Sequence, residues 1–185
     1  NLREVDGNQA LVLNGGTGAV NLDGAIGSGT ALSSLTVNGT SNTVLSGINI
    51  TTSNGDVTFN NSVTLDTGAT SISTGAGGGN IQFGSAIDGG QALTLSPGGG
   101  TVTLSGNVGA STALDSLNVS GTTTMAGTTL NTNNGVTFNG NVAASLGLAL
   151  NADADNSGTG AFTQQSGQLS TGNNALSITA KDVTL

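Results

Sequence analysis

The chain has 185 residues, of which 32 are Gly and only 6% are charged, with no Cys, Trp, Tyr or His and a formal net charge of −8. Arg3 and Lys181 against ten acids disfavour nucleic acid and anionic membrane surfaces as partners, and no apolar run reaches the roughly 18 residues of a membrane-spanning segment. Disorder is disfavoured by 35% hydrophobic residues and a mean hydropathy above zero, while the missing His, Cys and Tyr leave acid–base or nucleophilic catalysis without its usual groups, so no enzyme is expected.

In chain order, the first signals are Gln9-Ala10-Leu11-x-Leu13, Val20-x-Leu22-x-Gly24 and Leu35-Thr36-Val37. Then come Val57-Thr58-Phe59, Val63-Thr64-Leu65, Leu93-Thr94-Leu95, Val102-Thr103-Leu104, Leu146-Gly147-Leu148-Ala149-Leu150 and Val183-Thr184-Leu185. Apolar side chains alternate in each with polar or small ones, the period-two pattern of a short strand with one side inward. Asn-Gly, Gly-Gly, Asp-Gly and Ser-Gly pairs separate the runs, and Gly and Asn accept the positive φ of tight turns. No window holds a glycine-free i, i+3, i+4, i+7 apolar stripe, so no helix is predicted.

The chain also repeats itself. Asp6 to Thr40 align without a gap on Asp88 to Thr122, with 20 of 35 positions identical. A shorter pattern, Gly/Asn-x-Val/Ile-x-Phe/Leu, is anchored at Leu22, Phe59, Phe83, Leu104 and Phe138, with a degraded copy at Phe162. The anchors are unevenly spaced, with long gaps from Leu22 to Phe59 and from Leu104 to Phe138 and shorter ones elsewhere. This reads as turns of roughly 17 to 24 residues, with two turns in each long gap. Self-similar arrays of short apolar runs bury their inward side by stacking on neighbours. The expectation is one all-β domain over 1–185, a parallel β-helix of eight or nine coils about 40 Å long, with internal repeat units 6–87 and 88–166. Equivalent Val, Leu and Ile residues should stack coil on coil, Phe59 should stack on Phe83, and Phe138 on Phe162. The start at Asn1 and the stop at Leu185, in mid-strand after Val183, lead to the expectation of a piece of a longer repetitive protein.

The phrases Phe83-Gly-Ser-Ala-Ile-Asp-Gly-Gly-Gln-Ala-Leu-Thr-Leu95, Val102-Thr-Leu-Ser-Gly-Asn-Val108, Thr112-Ala-Leu-Asp-Ser-Leu-Asn-Val119, Gly135-Val-Thr-Phe-Asn-Gly-Asn-Val142 and Ala175-Leu-Ser-Ile-Thr-Ala-Lys-Asp-Val183 resemble the repeats of filamentous-haemagglutinin-like bacterial exoproteins, including two-partner-secretion adhesins and autotransporter passengers. The resemblance runs from about Asp6 to Leu185. It implies a right-handed parallel β-helix shaft on the bacterial surface or outside the cell, serving adhesion or biofilm contact. Partners would be neighbouring coils, like subunits end to end, surface glycans, or receptors on host or other cells. The alternatives are a subunit of a self-assembling extracellular filament and, below it, a carbohydrate-binding or carbohydrate-cleaving β-helix.

Asp23, Asp56, Asp66, Asp88 and Asp115 are scattered, mostly beside Gly, and read as Asx-turn and solubility residues. The sharpest chemical candidate is Asp153-x-Asp155-x-Ser157-Gly158, oxygen ligands at alternate positions before a glycine, as in the first half of a calcium loop. Gln164 stands where that loop would place its bidentate Glu, so any calcium binding is expected to be weak and no other cofactor is expected. Asn38, Asn49, Asn60 and Asn118 begin N-x-Ser/Thr triplets, which chance explains in so Asn-rich a chain. Thr101-Val-Thr103 and Thr122-Thr-Thr124 do not form an obvious coil-by-coil threonine ladder.

Overall fold

A computed structural model describes residues 4–185 and contains 22 strands of two to five residues, with no helix among them. Strands this short cannot fold alone, so each depends on pairing with its equivalents one turn away. The result is a β-solenoid of about eight turns with three faces. The first face is an eight-stranded parallel sheet running from Ala10–Asn14 through Ser34–Asn38, Val57–Phe59, Ile81–Phe83, Thr101–Leu104, Thr122–Met125 and Val142–Ala144 to Leu169–Ser170. The third is a seven-stranded parallel sheet from Asn49–Thr51 through Thr70–Ser73, Leu93–Ser96, Leu117–Ser120, Val136–Asn139 and Phe162–Ser166 to Val183–Thr184. Between them, the second runs from Val20–Leu22 to Leu176–Thr179 in blocks of four and three strands, joined only through the single-residue bridges of Val108 to Ile87 and Leu130.

Stacked partners on the first face are Leu11, Leu35, Val57, Ile81, Val102, Thr123, Val142 and Leu169. The turn from Thr123 to Val142 is the shortest and the turn from Val142 to Leu169 the longest. The longest exceeds the expected range because the segment 152–161 bulges out within it. Eight strands at about 4.8 Å give a rod of roughly 38 Å.

The alternation predicted from sequence decides what is inside. Val57 and Phe59 are buried while Thr58 between them is not, and the same holds for Val63 and Leu65 around Thr64. Phe59 and Phe83 are register partners with ring centroids 5.2 Å apart and planes inclined by 14°, the stacked pair expected. Phe138 and Phe162 meet edge to face at 6.4 Å, because Phe162 pairs with Val136 and stands one alternate position off. A buried Thr closes several corners: the Thr74 hydroxyl donates to the Gly79 carbonyl at 2.7 Å and the Thr52 hydroxyl to the Gly55 carbonyl at 2.5 Å. Leu146 departs from expectation: the strand begins at Leu148, and Leu146 is 49% exposed.

One expectation about the repeats is corrected. The short-pattern anchors do not share a face: Leu22 lies on the second, Phe59, Phe83 and Leu104 on the first, and Phe138 and Phe162 on the third. The long gaps, Leu22 to Phe59 and Leu104 to Phe138, therefore each cross five faces, less than two full turns. Equivalent residues of the two long copies lie on different faces. Leu11 and Leu13 lie on the first face and Leu93 and Leu95 on the third; Val20 and Leu22 lie on the second and Val102 and Leu104 on the first. The step from one copy to the next spans eleven faces, three and two-thirds turns, so the second copy is rotated by one face. Ala175-Leu176-Ser177-Ile178 repeats Ala92-Leu93-Thr94-Leu95 and falls on the remaining face, the second. The local geometry is preserved through this rotation. Gly27 N donates to Val5 O at 2.7 Å as Gly109 N does to Ile87 O at 2.7 Å, and Ser33 N to Gln9 O as Asp115 N to Gln91 O, both at 3.2 Å or less.

Candidate functional site

The segment 152–160 leaves the corner between the second and third faces and folds back on itself. Asn156 and Gly158 have φ of 54° and 76°, the left-handed conformation that reverses the chain over so short a span. The three predicted cation ligands are brought together, but around one another. The Ser157 hydroxyl donates to Asp153 Oδ1 at 3.1 Å, Gly158 N donates to both Asp153 oxygens at 3.2 and 3.1 Å, and Ser157 N donates to Asp155 Oδ1 at 3.1 Å. Thr159 ties the loop to the turn below through the Asn134 amide oxygen at 3.0 Å.

Asp153 is 9% exposed. Burial pushes its pKa up, but donation from the Ser157 hydroxyl and the Gly158 and Gly160 backbone N–H groups outweighs burial, leaving the pKa below the ordinary 3.8. The loop thus holds a carboxylate in a hydrogen-bonded cradle. Among the described residues, no three His, Cys, Asp or Glu side chains converge to hold a metal ion. Six to eight oxygens are typical around calcium, and the donor set here offers two carboxylates already engaged by the loop itself.

Asp56, Asp88 and Asp115 accept hydrogen bonds across turns, a correction to their reading as local turn residues, and Asp6 does the same. Asp6 Oδ1 accepts from Gly29 N at 2.9 Å and Thr30 N at 3.2 Å, both one turn on. Asp88, its equivalent in the second copy, accepts from Ser111 N at 2.8 Å and Thr112 N at 3.1 Å. Both acceptors serve a loop where the face is reduced to a single bridge, at Ile26 or Val108, so the loop amides have no strand carbonyl opposite them. Asp56 accepts from Asn80 N at 2.7 Å, and Asn80 Oδ1 from Thr101 N at 2.9 Å, one turn after another. Asn107 does the same for Thr128 N and Thr129 N, and Asn141 for Gln168 N. Sequence reasoning missed these Asn clips. Their signal is an Asp or Asn directly before a strand that recurs at the turn length, as at 56 and 80. At the first corner Asn14, Asn38 and Asn60 form an amide ladder, Asn38 Nδ2 donating to Asn14 Oδ1 at 2.9 Å and Asn60 Nδ2 to Asn38 Oδ1 at 2.7 Å.

The outward sides of the faces differ. On the third face one outward column reads Asn49, Ser71, Thr94, Asn118, Thr137, Thr163 and Thr184, and the parallel one Thr51, Ser73, Ser96, Ser120, Asn139 and Ser166. The first face reads Val12, Thr36, Thr58, Gln82, Thr103, Thr124, Ala143 and Ser170. Threonines do stack here turn on turn, with Thr124 Oγ1 3.2 Å from Thr103 Oγ1, although Gln82 divides them into two pairs. Where Ala143, Ala144 and Gly172 replace larger residues, a shallow cleft of about 380 Å³ opens over Met125. It is open and mostly carbon-lined, and no titratable side chain reaches it. Of the N-x-Ser/Thr asparagines, Asn38 and Asn60 are held in the ladder, while Asn49 and Asn118 stand exposed on the third face. Comparison with protein-family models, curated proteins and solved structures finds no match.

Proposed function

We propose that the chain is a structural shaft segment of a secreted or surface-displayed bacterial adhesin or related exoprotein. The observation that carries this reading is the use to which its polar groups are put. Asp6, Asp56, Asp88, Asn80 and Asn107 each hold one turn to the next, and the acids are distributed along the rod rather than gathered into a site. A stack locked in this way resists bending and local fraying, the mechanical property a spacer needs. The repeat phrases shared in style with filamentous-haemagglutinin-like proteins support the same reading and supply the location, outside the cell. The chain's contribution is distance and stiffness, with recognition assigned to other parts of the adhesin or to many weak contacts along the rod.

The test is labelling of intact cells of the source bacterium with antibody raised against the chain, followed by adherence assays with the antibody bound. Surface labelling is the expected result. Labelling only after permeabilisation would overturn the reading, and polymers growing end to end from the isolated chain would move it to the filament subunit.

A further inference from the structure

We propose that the third face is a lateral docking surface for a second copy of this chain, so that shafts pair side by side. The inference concerns how rods associate and stands whether or not the rod belongs to an adhesin. Four properties of this face point to a like partner. First, its outward columns are uncharged over seven turns, with Ser, Thr and Asn throughout and one exposed Gln165 at the bulge before Ser166, in a chain of net charge −8. Two such faces meet without like charges opposed. Second, hydroxyl and amide groups each both donate and accept, so an array of them is complementary to itself, which an acidic or basic face is not. Third, the columns repeat at the strand spacing of about 4.8 Å, and a second copy carries the same period, so registry holds at every turn rather than at one. Fourth, the Ser, Thr and Asn side chains are short and lose little rotamer freedom when covered.

The other faces lack these properties. The first carries the exposed apolar Val12 and the cleft over Met125, which would leave a gap under a flat partner. The second breaks at Val108 and carries Asp88.

The area sets the strength. Seven strands of about four residues present roughly 34 by 13 Å, so a pair would bury about 900 Å² in total, between lattice contacts and the roughly 1,200 Å² of the smallest specific interfaces. A weak, concentration-dependent pair is expected from this chain, strengthening in proportion to the number of turns.

The absence of Cys allows a direct test. Asn118 is the fourth of seven residues in its column, so parallel and antiparallel pairing both bring two copies of it together. With a short bismaleimide, Asn118→Cys should cross-link to dimer several-fold faster than Thr58→Cys on the first face. Adding Thr94→Lys and Thr137→Lys should remove that advantage. Equal rates for the two cysteines, or an advantage that survives both lysines, would overturn the proposal. A second measurement needs no variant: on concentrating the unsubstituted chain, amide shifts should move at Thr94, Asn118 and Thr137. Shifts confined to the two ends of the rod, spread evenly over its faces, or absent would each refute lateral pairing through this face.

Discussion

Replacing Asp88 by Ala isolates the role of a cross-turn carboxylate. The substitution removes the acceptor of Ser111 N and Thr112 N, at 2.8 and 3.1 Å, and leaves the apolar core untouched. Both amides belong to exposed residues, so water reaches them once the carboxylate is gone and the full penalty of a buried orphan does not apply. Each bond is then worth about 0.5–1.5 kcal/mol, and the pair about 2 kcal/mol. In a stack where each turn touches only its neighbours, the loss should stay local. Amide hydrogen exchange is the assay: protection at 111 and 112 should fall roughly 30-fold, the equivalent of about 2 kcal/mol. Asp88→Asn keeps an acceptor oxygen in place and should lose less than Asp88→Ala. Gly29 and Thr30, clipped by Asp6 in the equivalent loop, serve as the internal control and should not change. Unchanged protection at 111 and 112, or a loss shared evenly with core amides such as Leu95, would refute the clip argument.

Three further outcomes are expected. Phe83→Ala should cost about 3–5 kcal/mol in urea unfolding, and a double-mutant cycle of Phe59→Leu with Phe83→Leu should give a coupling of about 0.5–1.5 kcal/mol for the stacked pair. Gly109→Ala should destabilise by at least about 2 kcal/mol, because its φ of 66° strains any Cβ and that Cβ would run into the Asn131 carbonyl; Gly27→Ala, facing the Thr51 carbonyl at φ 73°, should match it in unfolding midpoint. Asp153 has its pKa depressed in the fold, so its stabilisation is complete above the ordinary carboxylate value of 3.8 and is lost as pH falls through the depressed value; Gly158 amide exchange should speed up there and be insensitive to millimolar calcium at neutral pH.

Much of this fold could be read from alternation alone. Val57-Thr58-Phe59, Val63-Thr64-Leu65 and Leu93-Thr94-Leu95 became strands with the predicted side inward, because a period of two needs no knowledge of what lies opposite. The face on which each strand lies was not legible. Val, Leu, Ile and Phe fill all three inward surfaces, so Leu22, Phe59 and Phe138 carry similar local patterns while occupying different faces. Asp56, Asp88 and Asp115 were misread for a related reason. A carboxylate beside Gly satisfies the local rule for an Asx turn equally well when its real partner lies a whole turn away, and turns of unequal length hide that spacing from a search at fixed period. Leu146 failed because Gly147 begins the approach to the Ala175 backbone, and only from Leu148 does the chain join the ladder. At 153–158 the alternation of oxygen-bearing side chains was legible, while the hydrogen bonds that tie them to one another within the loop are invisible in the spacing of the ligands.

The one-face rotation between repeat copies bears on how such a rod can lengthen. A duplicated unit need not contain a whole number of turns, since any block ending at a corner splices onto the next corner with its inward residues still inward. Recombination between copies is therefore tolerated at three junctions per turn instead of one. The exposed loops that begin at Gly27 and Gly109 are set a third of a revolution apart and about 18 Å along the axis, at three and two-thirds turns of roughly 4.8 Å each. Successive copies climb around the rod as steps climb a spiral stair, and only after three copies, eleven turns on, does a loop look out in its original direction.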